Sequence, residues 1–189
     1  VYLPLSSAML AATCQANETF RNVYDLDPWL RFQRNDPQKI VDSFERPPDI
    51  LGLSIYVWCE RLSLEVARLT KKRWPDCLVV FGGPSVSDLH YGKVMLRKHP
   101  YVSVLVIGEG EQAFLDLCLA YAAGRFTKET FSFGMTREKD LDRFPSPFLD
   151  GTFDRLLAHP AAQGVRFSGV WESNRGCPFA CTICASGSA

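Results

Sequence analysis

The sequence predicts an α/β fold built on a parallel β-sheet, and three observations lead to that prediction. Short apolar runs of strand length alternate with longer segments that have a helical period. These runs are apolar almost throughout, which is typical of strands covered by helices on both faces of the sheet. Glycine-rich or polar turns follow the runs. Ligands of such sheets bind beyond the carboxyl ends of the strands, so these turns are the expected place for a site.

The amino-terminal region supplies two predicted strands and two predicted helices. Residues 1–5 are predicted as the end of a strand. A helix follows over residues 6–16, where a serine can cap its start, and residues 20–24 are predicted as a second strand. Asp36 before Pro37 predicts another helix start, because aspartate caps well and proline fits the first helical position.

Three further strands are predicted in the centre of the chain. They are residues 49–56 (DILGLSIY), 78–81 (LVVF) and 102–107. Helical patterns lie over residues 62–74, around 94–96 and over 113–123. Together with the amino-terminal strands, this gives five predicted strands, which fit a Rossmann-like (flavodoxin-like) order.

The rest of the chain divides into a predicted linker and the start of a second domain. Residues 126–165 show no strong period, and Pro145 and Pro147 predict extended backbone before each proline. Residues 167–172 are predicted as a strand that leads into a cysteine-rich loop. The predicted boundaries are therefore 1–125 for the α/β domain, 126–165 for the linker and 166–189 for the beginning of the second domain.

Composition places the chain among ordinary globular proteins. It has 189 residues, with 21 Lys plus Arg and 21 Asp plus Glu, so its formal net charge is zero. A zero balance lacks the basic excess of nucleic-acid binders, and no apolar run approaches the roughly 20 residues that a membrane span needs. Seven cysteines, an odd number, fit free thiols and a metal site in a reducing cytoplasm. We therefore expect a cytoplasmic protein without a nucleic-acid or membrane partner.

Cys177, Cys181 and Cys184 have the spacing C-x3-C-x2-C. Three thiolates can hold three irons of a [4Fe–4S] cluster and leave the fourth open, whereas an electron-transfer cluster normally takes four cysteines. Zinc is the competing interpretation, but zinc normally takes four Cys or His ligands, and neither follows Cys184. With the preceding Arg175-Gly176, the motif resembles the radical S-adenosylmethionine (radical SAM) superfamily. The resemblance implies a cluster that binds and cleaves S-adenosylmethionine.

Small residues and glycines follow three of the predicted strands. Ser54 and the pair Gly82-Gly83 resemble the S-x-L…G-G part of cobalamin-binding domains, in which a hydroxyl and two glycines line the slot for the nucleotide tail. Glycine has no Cβ, so a bulky ligand can approach its backbone closely. The succession Ser-x-Tyr-x-Trp, Gly-Gly and Gly-Glu-Gly-Glu resembles cobalamin-dependent radical SAM enzymes. The resemblance implies these cofactor-binding residues: Ser54, Tyr56, Trp58, Gly82, Gly83, Gly108, Glu109, Gly110 and Glu111.

Several of these residues also have a purely structural interpretation. A Gly-Gly pair is often only a tight turn. Trp58 is either a cover for the lower face of the corrin or a core or interface residue, and Glu109 and Glu111 can stabilise a helix amino terminus. Arg175 is either a surface charge or a cation that favours thiolate ligation. The D-x-H-x-x-G motif that supplies a cobalt ligand in many relatives is absent from residues 5–12, so we expect base-off cobalamin without a histidine ligand.

The resemblance implies the N-terminal part of a cobalamin-dependent radical SAM enzyme, with a methyltransferase acting on an unactivated carbon as the leading interpretation. The implied cofactors are cobalamin, a [4Fe–4S] cluster and S-adenosylmethionine. The expected partners are a small-molecule or peptide substrate and an electron donor such as flavodoxin or ferredoxin. A radical SAM barrel needs far more residues than follow Cys184, so we expect a truncated barrel and an inactive fragment.

Two other functions stay open at this point. A radical SAM methylthiotransferase pairs the same motif with an α/β domain that holds a second cluster through three cysteines. This chain has Cys14 and Cys59, but glycines at positions 82 and 83. A cobalamin-binding carrier or sensor without catalysis would need no barrel at all.

Overall fold

A parallel β-sheet forms the centre of the protein, which confirms the predicted α/β class. The computed structural model describes residues 1–27, 35–86, 89–126, 132–133, 138–173, 175–177 and 179. Within this part of the chain the sheet has four strands in the order β1-β2-β3-β4, and all neighbours are parallel. The strands are β1 (Ile50–Ser54), β2 (Leu78–Gly82), β3 (Val104–Val106) and β4 (Ser132–Phe133).

Helices precede and connect the strands. They are α1 (Leu5–Ala16), α2 (Glu18–Val23), α3 (Pro37–Asp42), α4 (Glu60–Arg73), α5 (Leu89–Lys98), α6 (Glu111–Ala122) and α7 (Thr152–Ala158). The predicted cap of α3 is confirmed, because Asp36 Oδ1 accepts the N–H of Gln38 at 2.8 Å. Such caps satisfy N–H groups that have no partner inside the helix. None of the helices in the described ranges combines the length and apolarity of a membrane span.

Two helical layers cover the central strands, because successive side chains of a strand point to opposite faces. On one face, Val80 and Val104 pack with residues of α1, α2 and α6. On the other face, Val79, Phe81 and Leu105 pack with residues of α4 and α5. β2 and β3 are therefore buried on both sides, as predicted. β1 is only half-buried, since it has a strand neighbour on one side only within the described residues.

The predicted strand at residues 20–24 is wrong, because these residues belong to α2 and its carboxyl end. Asn17 Oδ1 accepts the N–H of Phe20 at 2.9 Å and thereby caps a helix. Phe20 and Tyr24 are four residues apart, so a helix places both rings on one face. Their ring centroids lie 5.0 Å apart, and both rings pack into the core beside α6.

The predicted strands at residues 1–5 and 167–172 are reduced to one contact. Tyr2 forms an isolated parallel bridge with Ser168, and α1 already begins at Leu5. No longer ladder forms over these residues in the described part of the chain. The bridge nevertheless attaches the segment before the cysteine motif to the start of the chain.

The region predicted as a linker is folded where the structure describes it. Phe153 and Leu156 of α7 pack against Ala8 of α1. Phe144 has extended backbone before Pro145, with φ −89° and ψ 131°, as predicted. α7 has seven residues, which is too short to show a clear helical period in a sequence. The proposed domain boundaries stay a prediction.

Tyr24 makes the fold less stable as the pH becomes alkaline. Its hydroxyl donates to the Cys118 carbonyl at 2.8 Å, and burial is the main cause that raises its pKa to about 12. The folded protein thus keeps a proton that the unfolded chain loses near pH 10. This contribution is complete below about pH 10 and is lost as the pH rises towards about 12.

We expect the unfolding free energy of Tyr24→Phe to fall less steeply with rising pH than that of the unaltered protein. Urea denaturation of both proteins at about pH 9 and about pH 11.5 measures the difference in slope. Burial also raises the pKa values of Tyr101 and Tyr121, which are present in both proteins, so the difference in slope reports on the change at position 24. Equal slopes for the two proteins would contradict the prediction.

Candidate functional site

The carboxyl ends of neighbouring strands bring the key predicted residues to one edge of the sheet. Ser54 ends β1 and pairs in register with Gly82, which ends β2. Gly108 lies just beyond the end of β3, and β3 is the other neighbour of β2. Ser54, Gly82 and Gly108 therefore share the edge at which parallel α/β sheets bind ligands.

Gly83 is required by the backbone of this edge. Its φ is +101°, which side chains rarely adopt, and a Cβ would lie 3.0 Å from the carbonyl oxygen of Ile55. The same carbonyl accepts the N–H of Ser85 at 3.2 Å, which ties the turn after β2 to the end of β1. The tight-turn interpretation therefore accounts for Gly83.

Gly82 has no such backbone requirement. Its φ lies outside the left-handed region, and a Cβ would meet Val106 at an ordinary contact distance of 3.6 Å. The surrounding protein thus has room for a methyl group here. The described structure therefore does not itself require glycine at position 82. At the ligand edge of the sheet, close approach by a ligand would require it.

Tyr56 and Trp58 form an aromatic pair in the loop that follows β1. Their rings stack with centroids 4.8 Å apart and an interplanar angle of 16°. Trp58 is 65% exposed, so its interpretation as a core residue is wrong. The Tyr56 hydroxyl lies 3.4 Å from Ser6 Oγ, which connects the pair to α1. The result is a flat, exposed apolar surface next to Ser54.

Glu109 and Glu111 face Arg175, which lies just before the first cysteine of the motif. Arg175 Nη2 lies 2.5 Å from Glu111 Oε1, and Nη1 lies 3.2 Å from Glu111 Oε2, a two-point guanidinium–carboxylate pair. Nη1 also lies 3.5 Å from Glu109 Oε2. Nε donates to Glu172 Oε2 at 2.9 Å. The Arg175 side chain is only 14% exposed, so its interpretation as a surface charge is wrong.

The guanidinium of Arg175 stays charged in this group. Burial lowers its pKa, but hydrogen bonds and charges from Glu111 and Glu172 outweigh burial, and the pKa is raised above its ordinary value. Glu111 is also the first residue of α6, where the helix amino terminus favours a carboxylate. The predicted contacts of Glu109 and Glu111 with a cofactor stay predictions.

Only the first of the predicted cluster ligands lies in the described part of the chain. Cys177 is half-buried and comes two residues after Arg175. Cys181 and Cys184 lie outside the described residues, so their convergence with Cys177 stays a prediction. Among the residues that the structure does describe, no group of three His, Cys, Asp or Glu is placed to hold a metal ion.

The other cysteines are dispersed through the α/β domain. Cys14 and Cys118 lie together in the core beside α1 and α6, and the hydrogen bond with Cys14 and burial raise the pKa of Cys118. Cys77 lies in the core on the opposite face of the sheet, where burial raises its pKa to about 11. Because the sheet separates these thiols, the three cannot share the second cluster of a methylthiotransferase. Cys59 lies at the start of α4, with its Sγ 3.4 Å from the Ser54 carbonyl oxygen.

The described histidine side chains are not at the carboxyl edge of β1 and β2. His99 follows the end of α5, and its Nδ1 lies 2.8 Å from the Tyr101 hydroxyl. His159 follows the end of α7. The side chain of His90 lies outside the described residues. A cobalt ligand other than histidine stays a prediction.

An open cavity of about 540 Å³ lies between the end of α1 and residues 145–155. Its lining includes Ala12, Gln15 and Asp154, but none of the predicted site residues. The candidate site is therefore identified by the residues at the sheet edge and not by the volume of a cavity.

Comparison with known families identifies the domain that carries this sheet edge. Residues 1–118 match the B12 binding domain family. This chain belongs to the B12-binding domain family. Its edge fits cobalamin, since the B12-binding domain offers the Ser54 hydroxyl, an unhindered backbone at Gly82 and the exposed indole of Trp58. The predicted cobalamin-binding domain is thereby confirmed.

The relatives of this B12-binding domain include methyltransferases. Over its whole length the chain is 38% identical to the cobalamin-dependent radical SAM methyltransferase TokK of Streptomyces tokunonensis. It is also 38% identical to the 2-(S-pantetheinyl)-carbapenam-3-carboxylate methyltransferase of Streptantibioticus cattleyicolor. An uncharacterized methyltransferase of Pyrococcus horikoshii is 30% identical over 97% of the chain. The chain spans 29% of the length of each of the first two relatives and 40% of the third.

Sequence reasoning missed the contact between Arg175 and this B12-binding domain. Arg175 and Glu111 are 64 positions apart, and no local pattern links them. Two features of the sequence could have indicated this contact. They are the acidic turn Gly-Glu-Gly-Glu and the arginine just before the cysteine motif. In the structure, the Arg175 side chain contacts both glutamates of this turn.

Proposed function

We propose that this chain is the cobalamin-binding part of a cobalamin-dependent radical SAM methyltransferase that acts on an unactivated carbon. The observation that carries the proposal is the sheet edge shared by Ser54, Gly82 and Gly108, within residues that match the B12 binding domain family. The names of two relatives and the C-x3-C-x2-C spacing support the radical SAM methyltransferase part.

The residues of the edge would bind and orient cobalamin. The Ser54 hydroxyl would hydrogen-bond a polar group of the nucleotide tail, and the bare backbone at Gly82 would let the tail lie close to the sheet. Trp58, stacked on Tyr56, would cover the lower face of the corrin where other families place a histidine. Gly108, with φ +87°, turns the chain away after β3 and keeps the edge open.

Cys177, Cys181 and Cys184 would hold the [4Fe–4S] cluster, with S-adenosylmethionine on the open iron. When bound, cobalamin would carry the methyl group, and the cluster with S-adenosylmethionine would supply the radical that activates the substrate carbon. The protein's own part is to position these groups around the substrate and to exclude water.

The remaining parts of the proposal concern organisation and partners. Residues 1–125 would form the cobalamin-binding domain, 126–165 the connection, and 166–189 the start of the radical SAM domain with its cluster loop. The substrate is a small molecule or a peptide. Reduced flavodoxin or ferredoxin in the cytoplasm would supply the electron.

Anaerobic reconstitution of the full-length protein tests this function. We expect bound cobalamin, about four irons per chain, and reductive cleavage of S-adenosylmethionine. The Co(II) EPR spectrum should lack nitrogen splitting from a histidine. Cys181→Ala should abolish the cleavage and leave cobalamin bound, because the two cofactors have separate ligands. Cobalamin binding without any cleavage by the unaltered protein would instead favour a carrier or sensor, and failure to bind cobalamin would contradict the proposal.

A further inference from the structure

Two attachments hold the segment before the cysteine motif to the B12-binding domain. At its start, Ser168 forms a bridge with Tyr2 and takes part in two backbone hydrogen bonds of 2.9 and 2.8 Å. At its end, Arg175 contacts Glu109 and Glu111 in the turn after β3. Residues 168–173 between these points are exposed. The segment is therefore attached to the B12-binding domain at both of its ends.

The main contact at Arg175 is a buried ion pair with Glu111, whereas the Glu172 side chain is 42% exposed. The side chains of Arg175 and Glu111 are 14% and 8% exposed, and that of Glu109 is 21% exposed. We call Arg175 with Glu109, Glu111 and Glu172 the carboxylate clamp. Loss of one charge from a buried pair leaves the other without a counter-ion, which is strongly unfavourable. Arg68 and Glu65 also make two hydrogen bonds, but both side chains are more than 40% exposed, so that pair contributes little.

The clamp joins the two places where the proposed cofactors bind. Glu109 and Glu111 belong to the turn after β3 at the cobalamin edge, whereas Arg175 lies two residues before Cys177. We propose that Arg175 is a positioning residue that fixes the cluster loop against this turn and thereby sets the distance between the cluster and cobalamin. The proposal rests on the proposed function.

The geometry of the clamp requires an arginine. Its Nη atoms bind both oxygens of Glu111, while Nε binds Glu172 on the segment itself. A lysine carries a single point charge and cannot reproduce this planar fork. The clamp therefore fixes the direction of the segment as well as its attachment.

A fixed distance has a clear chemical purpose. Under the proposed function, the cluster with S-adenosylmethionine and the cobalamin would both have to act on one substrate carbon. A misplacement of about 1 Å can lower the rate of a positioned reaction by about 10²-fold. The clamp supplies this alignment through a contact that touches neither substrate nor reacting atoms.

The test uses the full-length protein with Arg175→Lys, Arg175→Ala and Glu111→Gln. Hydrogen exchange of residues 166–177 before any cofactor is added reports on the clamp itself. Pulsed EPR then measures the distance between Co(II) and the reduced cluster in the loaded protein. We expect faster exchange of residues 166–177 in all three variants, and a broader or shifted distance distribution in each variant that loads both cofactors, with Arg175→Lys failing to restore the original distance.

Two controls separate positioning from a loss of stability. Arg68→Ala removes a matched exposed pair, and Val66→Ala destabilises the buried core at α4. Both should keep the original distance and the original exchange at residues 166–177. Unchanged exchange in the Arg175 variants, or an unchanged distance in Arg175→Lys and Glu111→Gln, would overturn the proposal. Absence of cobalamin or iron from the unaltered protein would contradict the proposed function, and the exchange measurement would still decide whether the clamp holds the segment.

Discussion

Replacing Phe81 by alanine is expected to lower the free energy of unfolding by about 3–5 kcal/mol. Phe81 is fully buried in the middle of the sheet, between Leu53 and Leu105 on the neighbouring strands. Its ring packs into the core beneath α4 and α5. Truncation removes the ring's contacts and leaves a cavity that the rigid strands cannot fill. Since whole domains are stable by only about 5–15 kcal/mol, this is a large share of the total.

Urea denaturation of Phe81→Ala and of Leu149→Ala measures this effect. Leu149 is 89% exposed, so its truncation should change the unfolding free energy by no more than about 0.5 kcal/mol. A loss below about 1 kcal/mol for Phe81→Ala would mean that β2 is not the central element of the core.

Gly82→Ala should weaken cobalamin binding by at least about tenfold, which corresponds to about 1.4 kcal/mol. A Cβ at position 82 meets Val106 only at an ordinary distance of 3.6 Å, so the fold should tolerate the substitution. The added methyl group lies at the sheet edge, where we propose that the nucleotide tail passes close to the backbone. Spectroscopic titration of the full-length protein with cobalamin measures the loss of affinity, and denaturation confirms the retained fold.

Substitutions of two other glycines serve as controls for this result. Gly169→Ala adds a methyl group at a similar 3.5 Å contact with Phe148, in a segment that belongs to none of the three turns, and should leave cobalamin binding unchanged. Gly83→Ala places a side chain at φ +101° and only 3.0 Å from a backbone oxygen, so it should impair folding as well as binding. Unaltered cobalamin affinity in Gly82→Ala would exclude Gly82 from the cofactor slot.

The central strands could be predicted because their local strand propensity and their burial favour the same structure. Residues 78–81 are apolar and β-branched or aromatic, and a Gly-Gly turn follows them. In such a segment the local preference and the burial on both faces agree. The edge shared by Ser54, Gly82 and Gly108 was predictable for the same reason, because parallel strands bring their carboxyl ends together.

The same rules failed for residues 20–24 and 167–172. Residues 20–24 have aromatic side chains that suit a strand, but the cap by Asn17 and the contact of Phe20 with the core select a helix. Local propensity is a weak prior that such tertiary contacts override. Residues 167–172 likewise look like a strand, yet within the described structure only Ser168 forms a β-bridge.

The carboxylate clamp lay beyond sequence reasoning for a different reason. Glu111 by itself has a complete local explanation as the first residue of α6. Its second role depends on a contact with Arg175 across 64 positions, which no periodicity or spacing encodes. Functional assignments from motifs alone therefore find the residues that line a ligand edge more readily than those that hold two binding regions together.

Hydrogen exchange with and without cobalamin tests whether cobalamin binds at the carboxyl edge formed by β1, β2 and β3. We expect cobalamin to slow exchange in three loops of the full-length protein, at residues 54–58, 82–86 and 107–111. Protection confined to residues 145–155, or no protection in the three loops while cobalamin is bound, would contradict this expectation.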